Sequence, residues 1–343
     1  MIEGIFGRDK EIDGKPVKLM YVETWDGLYT AVGLRVPEGK GPFPLVLFAY
    51  GNGGGGMTWI VDAYENKAYT INKFVEAGYA GAWIRYRSEV ELGYNNGGPL
   101  IRDTRQGGDL FNRSPLEYED EISVVEKLKS LDVIDPERVG LVGMSHGGEM
   151  ALKIISEYHG LKAVVASEPA AHEYLCLNPD KTAFINEETQ LRNIEEMEMI
   201  ELEKVLKRID LRTAEKRVSG IRTPSFIMGR NGDHLQGIFM AVFDLLKKSG
   251  KDSEWKTYNH DLHGFLFPEK NTNGDYQVDQ IQVEAIEDTL NFMDKHLKPV
   301  IEFQVLEQKG GEFTKINFEM SVQVSLPAYL PAVSGNMAFT ILK

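Results

Sequence analysis

The sequence has very little cysteine and no long apolar segment. Cys176 is the only cysteine among 343 residues. This excludes an intrachain disulfide, a Cys-x-x-Cys redox motif and a zinc site with several thiolate ligands. No apolar run approaches the roughly 20 residues that a helix needs to cross a bilayer. We therefore expect a fold stabilised by a packed apolar core, without intrachain disulfides or membrane-spanning helices.

Basic residues are also scarce relative to acidic ones. The chain has 38 Lys and Arg against 52 Asp and Glu, a formal net charge of -14. Because nucleic acids and anionic membranes are bound by clustered Lys and Arg, this balance argues against both as partners. The first ten residues, MIEGIFGRDK, lack the apolar core of a signal peptide. We expect a cytoplasmic protein if this is the natural start; a secreted or periplasmic protein without its signal peptide would look the same.

What the sequence does contain is an alternation of apolar strands and amphipathic helices. Residues 17–36 alternate loosely between apolar and polar around a Trp25-Asp26-Gly27 turn, which predicts an antiparallel pair. Strands that alternate with helices predict an α/β fold whose central sheet is mainly parallel, with helices on both faces. The further predicted elements are strands at 45–50, 80–87, 139–142, 161–167, 224–229 and 254–258, helices at 63–77, 117–131, 149–155, 239–248 and 283–296, and a turn at 135–138.

Two segments depart from this alternation. Residues 173–219 are dense in Glu, Lys and Met and predict exposed helices. They form either a solvated face or a helical lid over a site, with Met197 or Met199 pointing inward. Residues 301–343 predict a small β-rich extension. We therefore expect one α/β domain over residues 1–300, carrying the helical insertion, followed by a C-terminal β extension.

The segment Gly143-Met144-Ser145-His146-Gly147 lies between an apolar strand and a helix-forming run. Gly-x-Ser-x-Gly in this context is typical of a nucleophile elbow, a sharp turn that holds its serine in a strained backbone conformation. The two glycines leave room for the close approach that such a turn requires. The turn would lift the Ser145 hydroxyl above the sheet edge and aim the first helical N–H groups at an adjacent oxyanion. Ser145 is therefore the predicted nucleophile.

A serine hydroxyl reacts only when a base removes its proton and an acid orients that base. In a parallel sheet these groups gather at the carboxyl ends of the strands. Asp233 follows the predicted strand at 224–229, and His263 follows the strand at 254–258. The chain order Ser145, Asp233, His263 thus predicts a Ser–His–Asp triad.

Neighbouring residues remain open as alternatives. His260 competes with His263 for the role of base, and Glu168 or Asp261 competes with Asp233 for the role of acid. The pair His260-x-x-His263 lacks a third ligand at useful spacing, so no metal is expected.

With these residues assembled, the chain resembles the α/β-hydrolase superfamily over about residues 40–298. Within it, the chain is similar to the dienelactone-hydrolase and prolyl-oligopeptidase-like serine hydrolases. The resemblance implies Ser145 as nucleophile, His263 as base and Asp233 as its partner. The motifs that carry it are YGNGG at 50–54, VIDPERV at 133–139, GMSHGG at 143–148, Gly229 with Asp233, and HGF at 263–265.

The same resemblance implies an oxyanion hole made by the backbone N–H of His146 and one from Asn52 or Gly53. Two features depart from the family pattern. Tyr50 stands where many relatives have the His of a His-Gly pair, and serine replaces the cysteine nucleophile of true dienelactone hydrolases, which argues against that activity. Peptidases of this group also carry a β-propeller ahead of the hydrolase domain. Here about forty residues precede it, so we expect no gating of that kind.

The sequence therefore predicts a serine carboxylesterase that works through an acyl-enzyme, with no metal or organic cofactor and a small-molecule ester as its partner. A serine peptidase or amidase on small substrates is the second hypothesis, and a binding protein on an idle hydrolase scaffold is the third. A homo-oligomer stays open. Aromatic side chains near the expected mouth (Trp59, Tyr94, Tyr174) suit an aryl or sugar ester, or pack as ordinary loop residues. The candidate substrate-binding residues are Tyr50, Trp59, Tyr94 and Met197.

Overall fold

Strands and helices alternate along most of the chain. The computed structural model describes residues 4–51, 56–85, 115–177, 199–298, 300–309, 312–321 and 338–341. The strands are β1 (Ile5–Ile12), β2 (Lys15–Glu23), β3 (Tyr29–Arg35), β4 (Phe43–Ala49), β5 (Ala80–Ile84), β6 (Ile134–Met144), β7 (Ala163–Ser167), β8 (Ser225–Arg230), β9 (Ser253–Tyr258), β10 (Val300–Lys309), β11 (Glu312–Ser321) and β12 (Ala338–Ile341). The helices are α1 (Gly56–Asn66), α2 (Tyr69–Glu76), α3 (Pro115–Leu128), α4 (His146–Glu157), α5 (Leu202–Leu206), α6 (Leu211–Gly220), α7 (Gln236–Lys248) and α8 (Gln280–Leu297).

Nine of these strands form one sheet in the order β1-β2-β3-β5-β4-β6-β7-β8-β9. The first three are antiparallel to their neighbours, and the pairs from β5 through β9 are parallel. The carboxyl ends of β6, β7, β8 and β9 consequently meet along one edge, where a parallel sheet presents its functional loops. This mainly parallel sheet with flanking helices confirms the predicted fold class.

Strand β4 shows why its sequence is almost continuously apolar. Leu45 and Leu47 pack into one buried cluster, together with residues from α3, α4 and α7. Val46 and Phe48, the alternate side chains, pack into a second cluster with residues from α1, α2 and α8. Because successive side chains point to opposite faces of a strand, both faces of the sheet are covered.

Three parts of the fold differ from what the sequence predicts. The helix expected over 63–77 is two helices, because the N–H of Ala68 donates to the Tyr276 hydroxyl at 2.9 Å instead of continuing a helical ladder. Strand β1 was not predicted: six of its eight residues are exposed, so it carries no apolar alternation. The turn expected at 135–138 lies inside β6, where the register against β4 shifts between Phe43 and Leu45.

The insertion at 173–219 is described only in part. Residues 199–220 contain α5 and α6, and they pack on α7: the N–H of Gly237 donates to the Met199 carbonyl at 2.7 Å, and the N–H of Met199 donates to the His234 carbonyl at 2.6 Å. Met199 does point inward, but into the buried core, where it is 2% exposed. Met197 lies in 178–198, outside the described residues, so the lid stays a prediction.

The C-terminal segment forms strands, as its sequence indicates. Strands β10, β11 and β12 make a separate antiparallel sheet in the order β11-β10-β12. The division into an α/β domain and a β extension remains a prediction. Within the described ranges, no helix combines the length and apolar character needed to cross a bilayer.

Candidate active site

Ser145 occupies the junction between β6 and α4. Its backbone has φ 55° and ψ -116°, a conformation that a residue with a side chain rarely adopts. The strain is held by hydrogen bonds: Ser145 N–H donates to the Ser167 carbonyl at 2.9 Å, and Ala170 N–H donates to the Ser145 carbonyl at 2.9 Å. Since α4 begins at the next residue, the N–H groups of its first turn lie beside the serine. This is the geometry predicted for a nucleophile elbow.

The glycines of the motif are required by close backbone contacts. A Cβ on Gly143 would collide with the backbone carbonyl of Gly147, and a Cβ on Gly147 would collide with the carbonyl of Ala49. The second contact presses the start of α4 against the end of β4. Any side chain at either position would therefore force the elbow open.

Two further loops converge on the elbow. Gly51, just after β4, lies so close that a Cβ there would be 3.3 Å from Ser145 Cβ and 3.7 Å from its Oγ. Gly264, in the loop after β9, lies against Met144: a Cβ at Gly264 would be 3.1 Å from the Met144 methyl carbon and 4.0 Å from the Tyr50 hydroxyl. The loop of His263 thus packs on the residue before Ser145.

Asp233 and His263 form a hydrogen-bonded pair across two loops. His263 Nδ1 lies 2.9 Å from Asp233 Oδ2, and the N–H of Leu235 donates to Asp233 Oδ1 at 2.8 Å. The Asp233 side chain is fully buried, whereas 26% of the His263 side chain is exposed. When Nδ1 donates to the carboxylate, Nε2 is left as a proton acceptor on the accessible side.

A second carboxylate and one guanidinium complete this cluster. Glu168 follows β7, is fully buried, and places Oε1 3.6 Å from His263 Nδ1. Arg230, at the end of β8, has its Nε 2.9 Å from Asp233 Oδ2 and 3.7 Å from Glu168 Oε1. Sequence reasoning considered Glu168 only as an alternative acid and missed Arg230. The signal available for Arg230 was its place at the same sheet edge as the two carboxylates.

The negative charges around His263 stabilise the protonated form of its imidazole. Burial works to lower the pKa of His263, but the hydrogen bond to Asp233 and the charges of Glu168 and Asp233 outweigh it and raise the pKa. Burial works to raise the pKa of Asp233, yet the hydrogen bond and charge of His263 lower it. Burial raises the pKa of Glu168 to about 7, with Asp233 adding to the increase and His263 opposing it. Asp233 is therefore the carboxylate that is ionised throughout the neutral range.

The raised pKa of His263 sets the expected acid limit of activity. A general base works only when it is neutral, so kcat/KM should fall as the pH drops through the raised pKa, at a midpoint above the ordinary value of about 6.5. The measurement is kcat/KM between pH 5 and 9 with a substrate that does not titrate in this range. A midpoint below pH 6 would contradict the arrangement, because the carboxylates would not then be acting on the imidazole.

His260, the competing candidate for the base, pairs with a different carboxylate. His260 Nε2 is 3.0 Å from Asp279 Oδ2 at the start of α8, and its ring stacks on Phe265, so it is turned away from the Asp233 pair. Asp261 is exposed. His234 Nδ1 lies 3.3 Å from Asp233 Oδ1, on the other oxygen from His263. Asp233, His234 and His263 each place an atom that could ligate a metal within 4.8 Å of the other two. From the sequence spacing, only His260 and His263 form a candidate pair of metal ligands.

The predicted oxyanion and substrate residues are only partly described. His146 begins α4, and its buried ring has Nδ1 3.7 Å from Glu149 Oε2, so the role of its N–H in an oxyanion hole stays a prediction. Tyr50 and Trp59 are half-buried, with ring centroids 5.5 Å apart. Tyr174 is fully buried and hydrogen-bonded to Ser156, so its expected place at the mouth is wrong. Four predicted residues lie outside the described ranges: Asn52, Gly53, Tyr94 and Met197.

Comparison with protein families gives one match that covers more than half of the chain. The family model described as "Prolyl oligopeptidase family" matches residues 74–299, a range that includes Ser145, Asp233 and His263.

Solved structures with the same α/β-hydrolase fold include both peptidases and esterases. Pyrococcus horikoshii acylaminoacyl peptidase has a TM-score of 0.56 at 16% identity, over 90% of this chain and 43% of that one. Porphyromonas gingivalis dipeptidyl peptidase 4 has a TM-score of 0.53 at 16% identity, over 82% of this chain and 36% of that one. Acetyl xylan esterase 1 from Thermoanaerobacterium sp. JW/SL YS485 has a TM-score of 0.53 at 16% identity, over 85% of this chain and 88% of that one. The chain thus spans less than half of the peptidases it matches.

Proposed function

This chain belongs to the prolyl oligopeptidase family of serine hydrolases, and from that premise we propose that it hydrolyses carboxylic esters of small molecules. The observation that carries the proposal is the strained Ser145 at the start of α4, with the loops of Gly51 and Gly264 packed around it. A serine held in this way, beside helical N–H groups, suits attack on a carbonyl and stabilisation of the resulting oxyanion.

The proposed reaction begins with the Ser145 hydroxyl. Its Oγ bonds to the ester carbonyl carbon while His263 Nε2 takes the proton, and the carbonyl electron pair moves onto the oxygen. The N–H of His146 donates to that oxyanion. The intermediate collapses by breaking the bond to the alcohol oxygen, which receives the proton from His263. Water then bonds to the acyl carbon while His263 takes its proton. The bond from that carbon to Ser145 Oγ breaks, and Oγ recovers the proton from His263 as the acid leaves.

The buried carboxylate of Asp233 orients the base in this scheme. Its hydrogen bond with Nδ1 selects the tautomer whose Nε2 can accept a proton, and its charge stabilises the imidazolium that follows. Arg230 Nε, 2.9 Å from Asp233 Oδ2, balances the charge and helps to keep the carboxylate in place.

Ester rather than amide cleavage is supported by two features. This chain covers 88% of the length of the acetyl xylan esterase, but only 43% and 36% of the lengths of the two peptidases. The half-buried rings of Tyr50 and Trp59 give an aromatic surface next to Gly51, with Lys67 Nζ 5.3 Å from the centre of the first ring and the Arg85 guanidinium 4.4 Å from the centre of the second. This mixed aromatic and cationic surface suits the ring and oxygen atoms of an aryl or sugar ester. The second candidate is a peptidase or amidase on small substrates, favoured by the same two peptidase structures.

The discriminating experiment compares leaving groups on one acyl series. p-Nitrophenyl esters and the matching aminoacyl p-nitroanilides are assayed with the purified protein, and labelling by a fluorophosphonate probe reports the nucleophile independently of substrate. We expect labelling together with kcat/KM values higher for esters than for anilides, after correction for their uncatalysed rates. Faster corrected cleavage of the anilides would favour the peptidase. Absence of labelling would indicate an idle scaffold.

Tyr50 offers a specific test of the substrate side. Burial and the Glu269 carboxylate raise the pKa of Tyr50, so its hydroxyl remains protonated. It donates to Glu269 Oε1 at 3.4 Å and would have to turn from this carboxylate to donate to a bound substrate. Tyr50→Phe keeps the aromatic surface and removes only the donor. We expect kcat/KM to fall about fivefold, since one neutral hydrogen bond contributes about 1 kcal/mol.

The matched control is Tyr21→Phe, which removes an exposed tyrosine hydroxyl in the N-terminal part of the sheet. It should leave kcat/KM unchanged. Equal values for Tyr50→Phe and the unmodified protein would remove Tyr50 from the substrate site.

A further inference from the structure

Glu168 is a buried carboxylate that a Ser–His–Asp triad does not require. It follows β7 with φ 48°, a left-handed conformation that disfavours a side chain. Its carboxylate is nevertheless fully buried, which is expensive for an acidic group without compensating partners. Strained backbone and buried charge at one residue indicate a role that the local fold alone does not supply.

The contacts of Glu168 lead to the base. Oε2 accepts a hydrogen bond at 2.6 Å from the N–H of Gly264, the residue that follows His263. Oε1 lies 3.6 Å from His263 Nδ1. One side chain therefore holds the peptide that carries the imidazole and also adds negative charge beside the ring nitrogen that Asp233 contacts.

From this geometry we propose that Glu168 is a positioning residue for the base: it fixes the His263–Gly264 peptide and shares the stabilisation of the imidazolium with Asp233. The inference rests on the proposed role of His263. It gives the base two carboxylate partners: Asp233, hydrogen-bonded to Nδ1, and Glu168, 3.6 Å from the same nitrogen. Arg230 has its Nε within 3.7 Å of both carboxylates and offsets part of the repulsion between them.

The charge of Glu168 depends on all the groups that face it. These are His263, Asp233 and Arg230, and its charge also acts on Tyr50. Burial is the main reason that its pKa is raised to about 7, so the carboxyl gains its charge over the range in which the base becomes neutral. The two groups titrate together, and a pH profile reports both.

The first test separates charge from anchoring. Glu168→Gln retains an oxygen that can accept from Gly264 N–H but removes the charge, and Glu168→Asp retains the charge on a shorter arm. The rate of Ser145 labelling by a fluorophosphonate is measured from pH 5 to 9. For Glu168→Gln we expect the acid limb to move to lower pH by about one unit, because the charge that raises the His263 pKa is lost, with a rate plateau about tenfold lower. For Glu168→Asp we expect an acid limb close to that of the unmodified protein.

The second test measures coupling. Asp233→Asn should retain a measurable labelling rate because Glu168 remains beside Nδ1. Adding Glu168→Gln to Asp233→Asn should then lower the rate by a larger factor than Glu168→Gln does alone. Asp288→Asn is the matched control: this carboxylate, on α8, accepts from the Tyr258 hydroxyl at 2.7 Å and is not among the groups that act on His263, so its loss should leave the pH profile unchanged.

The outcomes distinguish this inference from the proposed function. If the unmodified protein is not labelled at Ser145, the proposed hydrolase site fails. Suppose instead that it is labelled, that Glu168→Gln leaves the pH profile unchanged, and that Glu168→Gln lowers the labelling rate by the same factor with and without Asp233→Asn. Glu168 is then purely structural, and the inference fails. Should Glu168→Gln not fold, Asp233→Asn decides: complete loss of labelling in that variant would overturn the proposal, because Glu168 would then give the base no support of its own.

Discussion

Replacing Ser145 by alanine is expected to lower kcat/KM for the best ester by a factor on the order of 10⁴ or more. Only the hydroxyl group is removed, so the backbone turn at Ser145, the start of α4 and the Asp233–His263 pair should keep their structure. Folding should be retained. Alanine and serine tolerate the φ of 55° about equally, and the structure describes no hydrogen bond at the Ser145 Oγ that the substitution would remove. The measurement is steady-state hydrolysis together with a thermal melt.

The matched control for this variant is Ser156→Ala. Ser156 lies on the same helix that follows the elbow, and its hydroxyl donates to the Leu152 carbonyl at 2.8 Å. Its replacement should leave activity and labelling intact. If Ser145→Ala kept its ester hydrolysis and its fluorophosphonate labelling, the nucleophile would be another residue and the reaction scheme would be wrong.

The elbow could be predicted because its causes are local. The two glycines at 143 and 147 are required by backbone contacts within a few residues and with the neighbouring strand β4. The motif therefore carries nearly all the information that fixes the geometry of Ser145. Asp233 and His263 could be placed for a different reason: each directly follows a strand, and parallel strands end at one edge of the sheet.

The polar contacts between loops could not be read in the same way. His260 and His263 are three residues apart, and only the packing of the loop decides that His260 faces Asp279 while His263 faces Asp233. Glu168 and Arg230 come from different strands, so their meeting depends on the lengths and directions of side chains. A pattern of residue types contains neither quantity.

The same distinction explains the errors in the fold. The break between α1 and α2 depends on a hydrogen bond from Ala68 to Tyr276, which is distant in the sequence. Strand β1 exists because its backbone pairs with β2 from Ile5 to Ile12, although its side chains are mostly exposed. Elements with a buried face are visible in apolar periodicity; elements held mainly by backbone pairing are not.

The second large effect is expected from His263→Ala. Without the imidazole, nothing takes the proton from Ser145, and we expect kcat/KM to fall by a factor on the order of 10⁴. The residual rate should lose the acid limb seen in the unmodified protein, because that limb reports the titration of the base. Added imidazole should restore part of the activity in proportion to the concentration of its neutral form, since the variant leaves a space beside the Asp233 carboxylate.

His260→Ala is the control that makes the assignment of the base specific. It removes the same kind of side chain three residues earlier, and with it the contact to Asp279 and the stack on Phe265. Stability should fall modestly, by about 1 kcal/mol, while the pH profile keeps its midpoint. The reverse result, an intact pH profile in His263→Ala and a lost one in His260→Ala, would assign the base to His260. The buried cluster of Asp233, Glu168 and Arg230 would then need another explanation, because both carboxylates lie within 3.6 Å of His263 Nδ1, whereas Arg230 donates to the backbone carbonyl of His260 and not to its ring.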